Sequence, residues 1–92
     1  MRYFVKLSYN GTKFHGWQIQ SNAHSIQEDL NNAFSILIGE KIKLYGSGRT
    51  DTGVHAKEMY AHFDTSNFIN CNILVNKLNL FLCRDIVIFS IF

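Results

Sequence analysis

No proline occurs in these 92 residues, so nothing in the chain locks φ and few rigid turns are expected. Cysteine is nearly as scarce. Cys71 and Cys83 lack metal-ligand spacing, and two buried, reduced thiols are expected rather than a bridge. Long hydrophobic runs are also missing. The longest apolar stretch, Ile86 to Phe92, is interrupted by Ser90, and a bilayer span needs about 20 residues. Arg2 and Lys6 alternate with apolar residues at the start, which excludes a signal-peptide pattern. Charge of one sign is not in large excess: the net value of +2 suits an anionic partner without establishing one. What these absences leave is a cytoplasmic chain with 47% hydrophobic residues, one domain over residues 1–92 and a single small core.

Arg2 to Tyr9 alternates strictly, with Tyr3, Val5, Leu7 and Tyr9 on one face and Phe4, Lys6 and Ser8 on the other. That period of two predicts a strand. Asn10-Gly11-Thr12-Lys13 is turn chemistry, and the chain is irregular from Phe14 to Ser25. Ser25-Ile26-Gln27-Glu28 has the form of a capping box. Ile26, Leu30, Ala33, Phe34, Leu37 and Ile38 then follow at helical spacing, and Gly39 supplies the stop. Lys41 to Tyr45 reads as a short strand. Lys57 to Thr65 reads as a longer one, with Met59, Ala61 and Phe63 opposite Tyr60, His62 and Asp64. Asn70 or Asn72 caps a second helix carrying Leu74, Val75, Leu78, Phe81 and Leu82, and Asp85 to Phe92 is the final strand. The order β-α-β-β-α-β predicts an α+β, ferredoxin-like domain: a four-stranded antiparallel sheet with two helices on one face.

The final strand departs from the alternation of a half-solvated sheet. Ile86, Ile88, Ser90 and Phe92 make one face, and Val87, Phe89 and Ile91 make the other. Both faces therefore expect cover. The helices supply one, and a missing domain or another subunit is expected to supply the second.

Between two of these strands, Gly46 to Ala56 packs three glycines, a cation, a carboxylate and an imidazole into eleven residues. Loops held at both ends by rigid structure are where chemistry tends to be mounted. Asp51 is the candidate catalytic residue, since a carboxylate serves as nucleophile, general base or cation stabiliser. Arg49 stands two residues earlier. In an extended segment it points the same way, so it would hold Asp51 ionised or grip a phosphate. Taken by residue type alone, Asp51 before Thr52-Gly53 equally suits a side-chain-to-backbone turn, and Arg49 with Asp51 a surface pair. His55 either orients Asp51, contacts phosphate, or is a buried histidine at the start of a strand. Trp17 and Phe14 either stack on a base or anchor packing. Lys13, Lys41, Lys43 and Lys57 either line an RNA track or keep strand ends soluble. Tyr60 and His62 share a strand face, where packing on another domain is favoured over RNA. His15, His24, His55 and His62 have no carboxylate or thiol at metal-ligand spacing, so no metal site is expected.

Gly48-Arg49-Thr50-Asp51-Thr52-Gly53-Val54-His55-Ala56 resembles the active-site motif of the TruA family of tRNA pseudouridine synthases. Two further stretches carry the same resemblance. Tyr9-Asn10-Gly11-Thr12-Lys13-Phe14-His15-Gly16-Trp17-Gln18 is similar to that family's Tyr-Asp-Gly-x-x-Tyr-x-Gly-Trp-Gln, with Asn10 and Phe14 as mild departures. Ser25-Ile26-Gln27-Glu28-Asp29-Leu30 is similar to its Ser-Val-Gln-x-x-Leu helix start. All three stand in the family's order and at about its spacing, and the likeness thins beyond residue 67.

The resemblance implies isomerisation of uridine to pseudouridine in tRNA, at positions thirty-eight to forty of the anticodon stem-loop. It makes Asp51 catalytic, with Arg49 holding the target nucleotide out of the stack and Gly48, Thr50, Gly53 and His55 as substrate contacts. It implies no metal and no small-molecule cofactor, tRNA as partner, and a homodimer for full members. Those members carry a second ferredoxin-like half completing the cleft, so this chain is expected to be an N-terminal portion, truncated and inactive alone. The alternatives are a non-catalytic RNA-binding module or a structural ferredoxin-like domain. Lys57 to Thr65 lacks the glycine-aromatic pattern of the common RNA recognition motif, and neither alternative explains a nine-residue, Asp-centred match.

Overall fold

A computed structural model of the chain describes residues 1–10, 25–46 and 56–92. Its elements are β1 (Arg2–Tyr9), α1 (Ile26–Ile38), β2 (Tyr45–Gly46), β3 (Ala56–Asp64), α2 (Cys71–Phe81) and β4 (Ile86–Ile91). The four strands form one antiparallel sheet in the order β2-β3-β1-β4, which with the two helices is the expected ferredoxin-like arrangement. Both crossovers place a helix between strands that are not neighbours, and the central pair, β1 and β3, shares the longest register.

Alternation decides which face is covered. Val5, Leu7 and Tyr9 of β1 are buried with Met59, Ala61 and Phe63 of β3, as the period of two requires. Phe63 is the centre of the core. It stacks on Tyr3 with ring centroids 5.6 Å apart and takes the edge of Phe34 from α1 at 5.2 Å. The helices present Ile26, Leu30, Ala33 and Phe34 from α1 and Leu74 and Leu78 from α2. Ser25 caps α1 by accepting a hydrogen bond from the Glu28 N–H at 3.2 Å, and Asn70 caps α2 by accepting from the Ile73 N–H at 3.2 Å.

Four expectations change on meeting the structure. On β4 the pairing with β1 shifts between Lys6 and Leu7: Leu7 faces Ile88 while Lys6 faces Ser90, so Phe89 is an extra residue. This bulge exchanges the faces beyond it. Ile91 joins Ile86 and Ile88 in the core, and Phe92 turns outward at 60% exposure. On α2, Phe81 is exposed and Val75 and Leu82 are only half-buried, because a helix packed on one side of a small sheet buries a narrow stripe. Both cysteines are free, yet Cys71 is half-buried and Cys83 exposed, beyond the end of α2. Residues 41–44 are not a strand, for a reason set out below.

Gly39 ends α1 with φ at 80°, the left-handed conformation, where the absence of a Cβ is needed for the backbone angle rather than for room. The next residue, Glu40, then ties the end of α1 to the β3–α2 connection. Its carboxylate accepts hydrogen bonds from the Thr65 hydroxyl at 2.7 Å, the Ser66 N–H at 3.2 Å, the Ser66 hydroxyl at 3.1 Å and the Asn67 amide at 3.1 Å. The Thr65 hydroxyl, first among these, holds the carboxyl below its ordinary value of 4.5. A folded-state value that is depressed stabilises the protein above the unfolded value and is lost as pH falls through the folded one. Glu40→Gln should therefore be less stable near neutrality and should lose less stability than the parent on acidification from 4.5 downward. Urea midpoints near neutrality and at about pH 3 check this, and the two proteins should converge at the acid end.

Candidate active site

Gly48, Arg49, Thr50, Asp51, Gly53 and His55 lie outside the described residues, as do Lys13, Phe14, His15, Trp17 and His24. What the structure places is the frame from which those segments depart. Gly46, the last residue of β2, pairs with Ala61. Ala56, the first residue of β3, pairs with Tyr9 at the end of β1. Residues 47–55 therefore connect two antiparallel neighbours of one sheet.

Tyr9 also begins the second motif, residues 9–18. It is buried, and the register shifts between Leu7 and Tyr9. Just past it, the Asn10 N–H donates to the Asp85 carbonyl at 2.8 Å, at the point where β4 begins. The first and second motif segments thus share an anchor, the Tyr9–Ala56 pair, at one end of the sheet.

The third motif stretch holds the other end of residues 47–55, from the helix layer. Gln27, buried in the first turn of α1, donates from its side-chain amide to the Leu44 carbonyl at 2.6 Å. One helical turn on, Asn31 accepts from the Leu44 N–H at 2.8 Å. A further turn on, the Ser35 hydroxyl accepts from the Ile42 N–H at 2.8 Å and donates to the Ile42 carbonyl at 3.2 Å. Residues four apart lie on one helix face, so Gln27, Asn31 and Ser35 form a polar stripe that replaces a neighbouring strand. This is why residues 41–44 run extended, with Ile42 and Leu44 buried, yet join the sheet only at Tyr45. A buried carbonyl or N–H without such a partner would cost about 1–3 kcal/mol.

The stripe is what residue-by-residue reading missed. Its signal in the sequence is the recurrence of Gln27, Asn31 and Ser35 at every fourth position of α1. Gln27 is buried and bonded to the Leu44 carbonyl, which gives it a positioning role.

Charged groups flank this frame. Lys41 and Lys43 are exposed on the segment leading into β2, and the Lys43 ammonium lies 5.5 Å from the centre of the Tyr45 ring. At the opposite end of the sheet Arg2 and Asp64 make a two-point pair, with Nε to Oδ1 at 2.9 Å and an Nη to Oδ2 at 3.2 Å. Arg2 first of all holds the Asp64 carboxyl below its ordinary value, and both partners stay more than half exposed. Tyr60 and His62 share the open face as expected, and His62 stacks on Tyr45 with centroids 5.3 Å apart. The arrangement holds both ends of residues 47–55 in paired strands, with Lys41 and Lys43 exposed on the segment that leads into β2. Among the described residues no helix is long and apolar enough to cross a membrane.

No protein-family model matches the chain. Curated relatives do. The tRNA pseudouridine synthase A of Bacteroides thetaiotaomicron is 44% identical over 90 residues, covering 98% of this chain and 34% of that protein. The tRNA pseudouridine synthase A of Mycoplasma genitalium is 50% identical over 78 residues, covering 85% of this chain and 32% of that protein. The tRNA pseudouridine synthase A 1 of Protochlamydia amoebophila is 49% identical over 85 residues, covering 91% and 33%. The chain spans about a third of the length of these relatives.

The polar stripe is directly testable. Asn31→Ala leaves the buried Leu44 N–H without its side-chain acceptor and should lower stability by about 1–3 kcal/mol. Amide exchange at Leu44 should accelerate with it. Unchanged exchange at Leu44 would mean that the stripe does not hold this segment.

Proposed function

Because the chain belongs to the tRNA pseudouridine synthase A family, we propose that it is the part of such an enzyme that carries the catalytic aspartate, Asp51. One observation carries the reading: each end of residues 47–55 is held by another of the three motif stretches. Tyr9 stands beside Ala56, and Gln27 holds the carbonyl of Leu44. An incidental match to three separate motifs would have no reason to place two of them at the two ends of the third.

The reaction is the isomerisation of uridine to pseudouridine in tRNA. The bond between the ribose and N1 of uracil breaks, the base rotates, and C5 is joined to the same ribose carbon, with the C5 proton lost and N1 reprotonated. Nothing is oxidised or reduced, so no redox cofactor is needed. The Asp51 carboxylate begins the process by attacking the ribose or the base, or by initiating elimination from the sugar. Arg49 keeps that carboxylate ionised by its charge and helps hold the target nucleotide out of the stack, since the chemistry requires a freed base. Gly48 and Gly53 let the backbone approach the nucleotide, and Thr50 and His55 contact it. The substrate is the anticodon stem-loop at positions thirty-eight to forty.

In this reading residues 1–92 correspond to the N-terminal third of a cytoplasmic, homodimeric enzyme. The remaining two thirds of the relatives' length supplies the opposite wall of the cleft. The chain alone is therefore inactive. Non-catalytic RNA binding gains no support from the described residues.

A chimera tests this. Residues 1–92 replace the matching third of the Bacteroides thetaiotaomicron protein, and pseudouridine is measured in unmodified tRNA. The chimera should turn over and the isolated chain should not. Asp51→Asn in the chimera should reduce turnover by roughly 10⁴-fold while tRNA binding persists, as removal of a group acting in the transition state does. Retained turnover in that variant refutes the role of Asp51.

A further inference from the structure

The end of β1 is gripped from two sides. Tyr9 pairs with Ala56 of β3 and with Ile86 of β4, and the Asn10 N–H donates to the Asp85 carbonyl at 2.8 Å. The β4 side of this grip is built more weakly. Among the described residues β4 is an edge strand with β1 as its one neighbour, and an edge strand leaves one row of backbone groups without a ladder partner. The bulge at Phe89 then interrupts the ladder. It separates Ile86 to Ile88 from the two-way pair between Phe4 and Phe92, whose bonds are 2.7 and 2.9 Å long. Burial does not fix the alignment either, because Ile86 and Ile88 on one face and Val87 and Phe89 on the other are all apolar.

Asn79 of α2 supplies what the ladder lacks. Its side-chain amide donates to the Ile88 carbonyl at 2.9 Å, and its side-chain oxygen accepts from the Ile88 N–H at 2.9 Å. Two residues paired across an antiparallel ladder exchange the same two bonds, so this side chain stands in for a further strand at one residue. A carboxylate would lack the donor, and an aliphatic chain would lack both groups. The clamp falls just before the bulge, in the half of β4 that leads back to Asp85. From α1, Gln27 and Asn31 serve the backbone of Leu44 in the same way.

We propose that Asn79 is a positioning residue: by clamping Ile88 it holds the first half of β4 on β1, and so fixes the Asp85 carbonyl at the start of residues 9–18. Its effect on turnover rests on the proposed function, whereas its effect on the end of β1 stands on the fold alone. Without the clamp, Ile86 to Ile88 would leave β1 in local openings, releasing Asn10 and loosening one side of Tyr9. The other side of Tyr9 meets Ala56, where residues 47–55 end, so the loss reaches both segments. A displacement of about 1 Å at reacting groups can cost about 100-fold in rate.

Asn79→Ala removes both bonds and leaves a strong helix former in α2. In the 92-residue chain, amide exchange at Asn10 and Ile88 should accelerate by at least about tenfold, while Phe4 and Leu44 exchange as in the parent. In the chimera, kcat should fall by at least about tenfold, with KM for tRNA within about twofold of the parent. Glu40→Gln, which loosens the other end of the fold, should cost stability without lowering kcat. If Asn79→Ala does not fold, Asn79→Asp takes its place, since near neutrality it keeps the acceptor and loses the donor. Unchanged exchange at Asn10 overturns the proposal, as does equal acceleration at every amide. So does an unchanged kcat in a variant whose Asn10 exchange has accelerated. An inactive parent chimera counts instead against the catalytic reading, and the exchange measurement still decides the clamp.

Discussion

The structure depends on a substitution of partners: one helix edge does the work of a β-strand. Ile42 and Leu44 are buried beside the sheet, and their backbone groups must be satisfied. Among the described residues no neighbouring strand bonds them. Gln27, Asn31 and Ser35 supply the donors and acceptors instead. This fixes where β2 can begin, and so where residues 47–55 start. It also locks α1 to the edge of the sheet in one register, since three side chains a turn apart must meet two residues of an extended chain. A helix held only by apolar contacts could slide, whereas paired polar groups have one solution.

From that lock the remainder follows in order. The β3–β1 register places Ala56 beside Tyr9, bringing the far end of residues 47–55 to the segment that opens the second motif. The Glu40 cluster closes the other end of α1 onto residues 65–67, so the helix is pinned at its start, middle and end. Little of this relies on bulk hydrophobicity. The core is small, and much of its specificity comes from polar groups at defined spacing.

The parts legible in sequence were those governed by local periodicity. Period two gave the faces of β1 and β3, the serine and glycine signals bounded α1, and of the two candidate caps, Asn70 and Asn72, it is Asn70 that opens α2. What was not legible depended on a neighbour. The bulge at Phe89 moves Ile91 into the core and Phe92 out of it, and only the pairing with β1 reveals it. Residues 41–44 have the alternation of a strand, but their hydrogen bonds go to a helix. Phe81 has the spacing of a core residue and lies past the edge of what α2 covers. Of the candidate site, the motif residues were readable as a resemblance. The anchoring of residues 47–55 at one end by Tyr9 and at the other by Gln27 was not, because it is a property of register and packing.

The surest check on that double anchoring is a set of through-space proton contacts measured by NMR on the 92-residue chain. Cross-peaks are expected between Tyr9 and Ala56, and between the Gln27 side-chain amide and the Leu44–Tyr45 backbone, together with slow exchange of that amide. Their joint presence would establish that the other two motif segments hold the two ends of residues 47–55. An assigned spectrum in which Tyr9 faces a different residue of β3, or the Gln27 amide exchanges as freely as a surface glutamine, would contradict the account.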